Sequence, residues 1–330
     1  MAIFKKILSV FLRVGISIAL LVFIFRQVDE KSLLALVKNA DKPLLFFSFV
    51  IFFIAYPLCL FRWEILLKAA KLHLPLKRVI ISFAGGIFFN LFLPSTIGGD
   101  LVRSIDLGSH TKKPKEVVAT VLLDRLSGYI GLVILALLAV MFGWRFVEDV
   151  SVLIPVFIIL VLLVVILLVL FNKYIYSKVN RFLDSPGSGK IRETITGLHQ
   201  EIHLFSRDKK VIFNNLGLSL LVQLTAPLSF YLLGLSLGIK INIAYFFVFM
   251  PVIGAITLLP ISIGGLGLRD ASTIYFFAKA GVCKDLAFAM SLLNFSFILI
   301  CGSLGGIIYV FTIRHRRVQH HKSPPVSPLQ

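Results

Sequence analysis

The sequence predicts an all-α polytopic membrane protein, with about eight membrane segments arranged as two halves of inverted topology. Three observations predict it. Hydrophobic residues make up 58% of the 330 positions and charged residues 15%, with a mean hydropathy of +0.95. Several apolar runs reach the ~18 residues needed to cross a bilayer. One motif, LPxxIGGxxxR, occurs twice, at Leu93–Arg103 and Leu259–Arg269, with Leu, Pro, Ile, both Gly and Arg coinciding. The basic residues concentrate in particular loops, as expected where cytoplasmic loops are positive.

The same numbers exclude several function classes. The apolar content leaves no room for a large soluble catalytic domain. The formal net charge of +18 is spread over loops rather than over one polar face, so no nucleic-acid partner is expected. Attraction to anionic headgroups is the better reading, at about 1 kcal/mol per basic residue near the surface. Cys59, Cys283 and Cys301 lie in or beside apolar runs, are odd in number and have no metal-ligand spacing, so they read as small apolar residues. Lys5 and Lys6 precede an apolar run to Phe25 without a small-residue cleavage site; this reads as a retained first span, with Arg13 snorkelling to the interface.

Taken in order, span one is Ile7–Phe25 and span two is Pro43–Phe61. The pair Arg62-Trp63 follows, a cation and an amphipathic ring suited to headgroup level. The loop Arg62–Arg78 has five basic residues and one acidic. Val79–Leu107 holds the first motif, and Lys112, Lys113 and Lys115 follow it. Span four is Val117–Phe142, and the loop Gly143–Val150 carries Arg145 against Glu148 and Asp149. Span five is Ser151–Phe171. The loop 172–212 has eight basic and four acidic residues. Within it, Ile191, Ile195, Leu198, Ile202 and Phe205 recur at helical spacing, predicting an amphipathic helix that lies in the interface or packs on the protein's own surface. Span six is Phe213–Leu237, Ile241–Thr273 holds the second motif, and the last span is Leu286–Phe311. Residues 314–330 form a basic tail expected to be disordered.

Loop charge decides how the two motif stretches sit. If Val79–Leu93 crossed the membrane once, the two strongly basic loops would lie on opposite faces. If Val79–Leu107 enters and returns on one side, both loops, Lys112–Lys115 and both termini lie inside, and the acidic loop lies outside. Only the second arrangement obeys the positive-inside rule. The stretch is also short of the ~40 residues that two crossings need. Both motif stretches are therefore predicted to be re-entrant hairpins entering from opposite faces, with tips at Pro94 and Pro260. Residues 1–142 then form one half and 143–313 the other, with the motifs 166 residues apart (93 to 259). In transporters of this plan the binding site lies near the midplane.

The motif has a chemical logic. Proline stops the entering helix, and Gly98-Gly99 and Gly264-Gly265 allow a sharp turn and close approach. A half-helix starting there presents unpaired N–H groups and a positive dipole end to an anion. Arg103 and Arg269 each lie five residues beyond the first glycine of their pair, and a guanidinium can grip phosphate at two points. The expectation is that both helix ends and both arginines converge on one phosphate. The alternative is local pairing, since Asp100 and Arg103 are i, i+3. Asp124-Arg125 lies well inside span four, where either residue can face the cavity or pair with a neighbour; Arg125 is a candidate third cation. Asp270 follows Arg269 directly, and adjacent residues do not share a helix face, so it is expected to pair elsewhere. Asn90 is placed to satisfy freed backbone groups at the hairpin tip, while Gln223 and Asn294 suit interhelical hydrogen bonds. His199 and His203 are i, i+4 without a further ligand, so no metal and no cofactor is expected. No recognised catalytic motif occurs in the sequence.

At these residues the chain resembles the lysylphosphatidylglycerol synthase transmembrane-region family, the flippase-like domain proteins. The carriers are Asn90, Leu93-Pro94, Gly98-Gly99-Asp100 and Arg103; then Asp124-Arg125-Leu126; then Leu259-Pro260 and Ser262 to Asp270. Arg62-Trp63 also fits. The family often has Glu at the positions of Asp124 and Asp270, and the carboxylate is kept in both. The resemblance implies eight membrane helices, some re-entrant, in a bacterial or archaeal cell membrane. A similar region of the multiple peptide resistance factor is credited with flipping aminoacylated phosphatidylglycerol, beside a separate soluble domain that makes this lipid. The sequence in hand shows no such domain, so synthase activity is not expected, although a separate lipid-modifying enzyme is a possible partner. The first reading is a flippase for an anionic or phosphate-bearing lipid, with both termini cytoplasmic. The alternatives are an intramembrane transferase or hydrolase with Asp100 or Asp124 as base, and a small-solute transporter.

Overall fold

The computed structural model describes residues 36–93, 97–142, 208–257 and 266–320, with single positions between 154 and 164. Span one, span five apart from those positions, the amphipathic segment at 190–207, and the motif residues Pro94, Pro260, Gly264 and Gly265 lie outside the described residues. The described helices are α1 (Lys42–Ala69), α2 (Leu76–Asn90), α3 (Ile97–Thr111), α4 (Pro114–Phe142), α5 (Lys209–Ser236), α6 (Ile243–Thr257), α7 (Leu268–Lys279) and α8 (Lys284–His320). No strand occurs among the described residues. Four helices are long and apolar enough to cross a membrane: α1, α4, α5 and α8.

The helix starts follow from local chemistry. Asp41 caps α1 by accepting the Leu44 N–H at 3.0 Å, and Pro43 sits in the first turn, where its missing N–H costs nothing. Asp208 caps α5 by accepting from the N–H groups of Lys210 and Val211. Both helices have 28 residues, and their starts are 167 residues apart (42 to 209). The 15-residue helices α2 and α6 also start 167 apart (76 to 243). Helices α4 and α8 start 170 apart (114 to 284).

Helices α1 and α5 run antiparallel in long contact. The Asp41 N–H donates to the Ser236 carbonyl at 2.8 Å. Midway, Ser48 Oγ donates to the Ser229 carbonyl at 2.7 Å, and Ser229 Oγ donates to the Ser48 carbonyl at 2.9 Å. At the far end Asn215 Nδ2 donates to the Arg62 carbonyl at 3.1 Å. Small hydroxyl residues let the backbones approach and convert that approach into hydrogen bonds where no water competes.

At 15 residues, α2 and α3 are each about 22 Å long, short of the ~30 Å hydrocarbon core. They pack face to face through glycine. A Cβ on Gly99 would collide with the Gly86 carbonyl oxygen, and one on Gly86 would lie 3.0 Å from the Gly99 carbonyl oxygen. Helix α8 packs along α2 in the same manner: Gly302, Gly305 and Gly306 face Leu91, Ala84 and Phe88, and Gly85 faces the Tyr309 ring. Two apolar cores result. One gathers Phe230, Phe246, Phe249, Phe277 and Met290 among α5, α6, α7 and α8. The other gathers Trp63, Leu67, Val79, Leu107, Val117 and Val121 among α1 to α4.

The sequence expectation for the end of span two is corrected. Helix α1 does not stop at Phe61 but runs two further turns to Ala69. Trp63, Leu66 and Leu67 keep helical spacing beyond Arg62 and bury their side chains. Arg62-Trp63 is therefore an interior pair, not an interfacial one: Arg62 is 6% and Trp63 0% exposed.

Gly99→Val should lower stability by about 3 kcal/mol or more, because the opposing group is backbone and cannot swing aside. Gly217→Ala, where a Cβ meets nothing within 4 Å, should instead stabilise by about 0.5–1 kcal/mol. Unfolding of both variants in detergent checks this; equal effects would mean that α2 and α3 do not touch at Gly99.

Candidate functional site

The second core carries a buried chain of charges. Asp124, ten residues into α4 and 3% exposed, lies between two arginines. Arg62 Nε of α1 donates to its Oδ1 at 2.7 Å, and Arg103 Nη2 of α3 donates to its Oδ2 at 2.9 Å. Arg103 Nη2 also lies 3.0 Å from Asp100 Oδ1, one turn earlier on α3. The other oxygen of Asp100 accepts from Arg125 Nε of α4. The ion pairs thus run Arg62–Asp124–Arg103–Asp100–Arg125 and join α1, α3 and α4.

Arg62 and Arg103 are held by neutral groups as well. Arg62 Nη1 donates to Ser219 Oγ of α5 at 3.2 Å. The Arg103 guanidinium lies over the Trp63 ring, 4.7 Å from its centroid, a cation–π contact in a dry site. Trp63 is fixed in turn by its Nε1–H, which donates to Thr120 Oγ1 at 3.1 Å. The Arg103 carbonyl accepts from Ser82 Oγ of α2 at 3.2 Å. One donor remains over: Arg103 Nε is buried and makes no hydrogen bond.

These charges line a cavity of about 260 Å³ among α1, α2, α3 and α4. Its polar side is Arg62, Arg103, Arg125, Asp100, Asp124 and Asn90; Ala55, Tyr56, Cys59, Phe83 and Ile87 form the apolar side. Among the described lining residues, three guanidinium groups stand beside two carboxylates, so an anion entering the cavity would meet guanidinium donors.

The structure brings some expected site residues together and separates others. Arg103, Arg125, Asp100, Asp124, Asn90 and Gly99 all line the cavity. Asn90 does what its position suggests: its Oδ1 accepts the Gly99 N–H at 2.8 Å, capping the start of α3. The glycines admit the protein's own backbone and side chains. Gly99 faces Gly86 and Asn90, and a Cβ on Gly98 would collide with Leu93. Asp124 and Arg125 do not pair with each other but with partners on α1 and α3. Gln223 makes an interhelical bond, its Nε2 donating to the Gly128 carbonyl at 2.9 Å.

Arg269 is not among the residues lining the cavity. Its Nη2 lies 3.2 Å from Asp270 Oδ1, its Nε donates to Ser291 Oγ at 3.4 Å, and it stacks on Phe295. Asp270 therefore pairs with the adjacent arginine, against the expectation from helix spacing. Both residues sit in the first turn of α7. There Gly267, at φ +77°, places its own N–H 2.8 Å from Asp270 Oδ2. That bond turns the Asp270 carboxylate back towards the helix start, where the arginine head can reach it.

Sequence reasoning missed Arg62 and its α5 partners Asn215 and Ser219. The signal was the helical spacing of apolar residues continuing through Leu67. It also missed a second buried pair, in which Arg78 Nη2 donates to Asp106 Oδ1 at 2.6 Å across the base of α2 and α3.

The pattern that describes the lysylphosphatidylglycerol synthase TM region matches residues 10–306. The chain belongs to this family. Two relatives are similar over most of their length. A UPF0104 membrane protein of Methanothermobacter thermautotrophicus is 26% identical over 279 residues, covering 78% of this chain and 81% of the relative. A UPF0104 membrane protein of Pyrococcus horikoshii is 24% identical over 306 residues, covering 85% and 90%. No solved structure matches. The family assignment and the four spanning helices together describe a multi-pass membrane protein.

Asp124→Ala would leave Arg62 and Arg103 buried without their shared partner, at a cost of about 3–5 kcal/mol. Lys68→Ala breaks only the exposed pair with Glu64 and should stay within about 0.5 kcal/mol. Denaturant unfolding in detergent measures both. A mild Asp124→Ala phenotype would mean that the arginines reach solvent.

Proposed function

We propose that this protein moves an anionic, phosphate-bearing lipid between the two leaflets of a cell membrane. The observation that carries the proposal is the cavity: three guanidinium groups and a buried Arg103 Nε without a hydrogen-bond partner, within a bundle whose helices are long and apolar enough to cross a membrane. A lipid phosphate would take Arg103, and the apolar wall of Ala55, Tyr56, Cys59 and Ile87 would accompany the start of its chains. Membership of the lysylphosphatidylglycerol synthase TM family points in the same direction.

The architecture supports a transporter of two inverted halves. The helix starts recur at a nearly constant offset, and α1 and α5, the corresponding helices, pack antiparallel. A twofold axis relating such a pair lies in the membrane plane, which is the geometry of inverted repeats. The short helices of the pairs α2–α3 and α6–α7 support the reading of the two motif stretches as re-entrant hairpins. With the basic loops inside, both termini are cytoplasmic.

The enzyme reading asks for a free carboxylate as base. Both oxygens of Asp100 and both of Asp124 already accept from guanidinium groups, which favours binding over acid–base work. The small-solute reading shares the site and is separated by experiment.

Purified protein in liposomes should accelerate exchange of a fluorescent anionic phospholipid across the bilayer. Arg103→Gln should slow this at least about tenfold, the loss of one charge-assisted contact, while Lys68→Ala leaves it unchanged. Wild-type rates in the Arg103→Gln variant would remove the site from the pathway. A chemically new lipid in the incubation would replace transport with catalysis.

A further inference from the structure

Helices α1, α3, α5 and α7 are each followed, within two residues, by a residue with positive φ. After α5 and α7 that residue is glycine, Gly238 and Gly281, each at φ +80°. After α1 and α3 it is lysine, Lys71 at φ +57° and Lys112 at φ +56°. Among the described residues no other side-chain-bearing position has positive φ.

Three of these turns are closed by the same pair of hydrogen bonds. After α1 the Leu72 N–H donates to the Leu67 carbonyl at 2.9 Å and the Lys71 N–H to the Lys68 carbonyl at 3.0 Å. After α5 the Ile239 N–H donates to the Gly234 carbonyl at 2.9 Å and the Gly238 N–H to the Leu235 carbonyl at 3.0 Å. After α7 the Val282 N–H donates to the Phe277 carbonyl at 3.1 Å and the Gly281 N–H to the Ala278 carbonyl at 3.0 Å. The residue at the left-handed position of such a turn is usually glycine, because a Cβ there crowds the following carbonyl oxygen. The chain therefore closes one kind of turn with glycine in two places and with the costlier lysine in another. Lys112 repeats the lysine choice in the turn between α3 and α4.

The choice follows the end of the bundle. Leu72, beside Lys71, shares one apolar core with Leu107 and Val117, which bracket Lys112. Arg78 at the start of α2 reaches Asp106 near the end of α3, so both lysine turns lie at one end. Ile239 and Val282, beside the two glycines, share the other core, and the end of α5 lies against the start of α1 through the Asp41 N–H. The glycine turns are thus at the opposite end. With 28 residues, α1 is about 42 Å long, the thickness of a bilayer with its headgroups, so Lys71 sits at headgroup depth. Lys71 and Lys112 are both exposed, as are their neighbours Lys77 and Lys113.

We infer that Lys71 and Lys112 form a docking surface for the anionic headgroups of phospholipids in the leaflet at this end of the bundle. A residue held in an unfavourable backbone conformation persists where its side chain supplies something that glycine cannot. Here that is an ammonium group at the membrane surface, where a basic residue attracts anionic lipid. The helix C-terminus also favours a cation, but the ends of α5 and α7 have the same dipole and carry glycine in the turn. The inference rests on the membrane setting of the chain and not on the transport reading.

The test is native mass spectrometry of the purified full-length protein in detergent, titrated with short-chain phosphatidylglycerol and with phosphatidylcholine of the same chains. The wild type should take phosphatidylglycerol in preference. Lys71→Gly and Lys112→Gly should each cut that preference roughly fivefold, and the double variant at least about tenfold. The double variant Lys71→Arg, Lys112→Arg should keep it, and Lys240→Ala, at the glycine end, should leave it near the wild-type value. In lipid-free detergent the double glycine variant should unfold about 2 °C higher than the wild type. A protein that becomes more stable while binding anionic lipid less well is the signature of lysines kept for their charge. An unchanged preference in the double glycine variant overturns the inference. So does a lower unfolding midpoint, which would make the lysines supports of their own turns, and so does a loss in the arginine variant as large as in the glycine one. An equal loss in Lys240→Ala would spread the attraction over the whole chain and overturn the docking surface. Displacement of the lipid by free glycerophosphoglycerol at equal concentration would overturn the membrane as its source. Each of these outcomes leaves the transport reading standing, because none involves Arg103.

Discussion

The structure around the cavity depends on one buried carboxylate. Asp124 is the point at which α1, α3 and α4 are joined, because it alone touches both Arg62 and Arg103. Arg62 has no other carboxylate partner among the described residues, Arg103 would keep only Asp100, and Asp124 draws on both arginines to stay ionised. The mutual dependence is what keeps three helices at fixed separation: a buried pair that loses a partner costs several kcal/mol, while a complete one is close to neutral. The network is therefore better understood as a constraint on geometry than as a source of stability.

That constraint works because its surroundings are shaped to it. Arg103 is sandwiched from one side by Trp63, whose ring is held by Thr120, so the guanidinium plane has little freedom. Its backbone is drawn against α2 by Ser82. The α2–α3 contact at Gly86 and Gly99 then sets how deep Arg103 sits, since backbone meets backbone with no side chain between. In lipid there is no hydrophobic drive between helices, and close packing through small residues takes its place. Gly86 and Gly99 thus act on the position of the arginine. They let α3 lie close enough to α2 for its arginine to reach Asp124.

Much of this was legible in the sequence, for physical reasons. Helix existence followed from apolar length, and the described helices of both motif stretches begin and end within a few residues of the predicted segments. Asn90 beside freed backbone and the Asp100–Arg103 pair, which was the alternative to phosphate binding, were readable from spacing, and Arg125 both lines the cavity and pairs with Asp100. Three things were not. Arg62-Trp63 looked interfacial because a cation and an indole are usual at headgroup level; only the tertiary partners Asp124, Asn215 and Ser219 draw them inside. The Asp270–Arg269 pair defied helix spacing because it forms in a first turn, where Gly267 frees the geometry. The separation of Arg269 from the cavity was hidden because a repeated motif suggests a repeated role, and sequence identity within the motif is silent on the neighbours that have changed around it.

The charge chain draws on helices far apart in the sequence, and α1 is where they meet. On one face of α1, Arg62 enters the charge chain. On the other, α5 holds it twice: Asn215 grips the Arg62 carbonyl, and Ser219 grips the guanidinium itself. Helix α5, which adds no charge to the chain of ion pairs, therefore still touches the site directly. A displacement of α5 along α1 would act first on Ser219 and Asn215, then on Arg62, and through the Arg62–Asp124 pair on Arg103. Packed interfaces of this kind favour discrete arrangements over continuous sliding, and the paired serines at Ser48 and Ser229 give the α1–α5 interface a defined register.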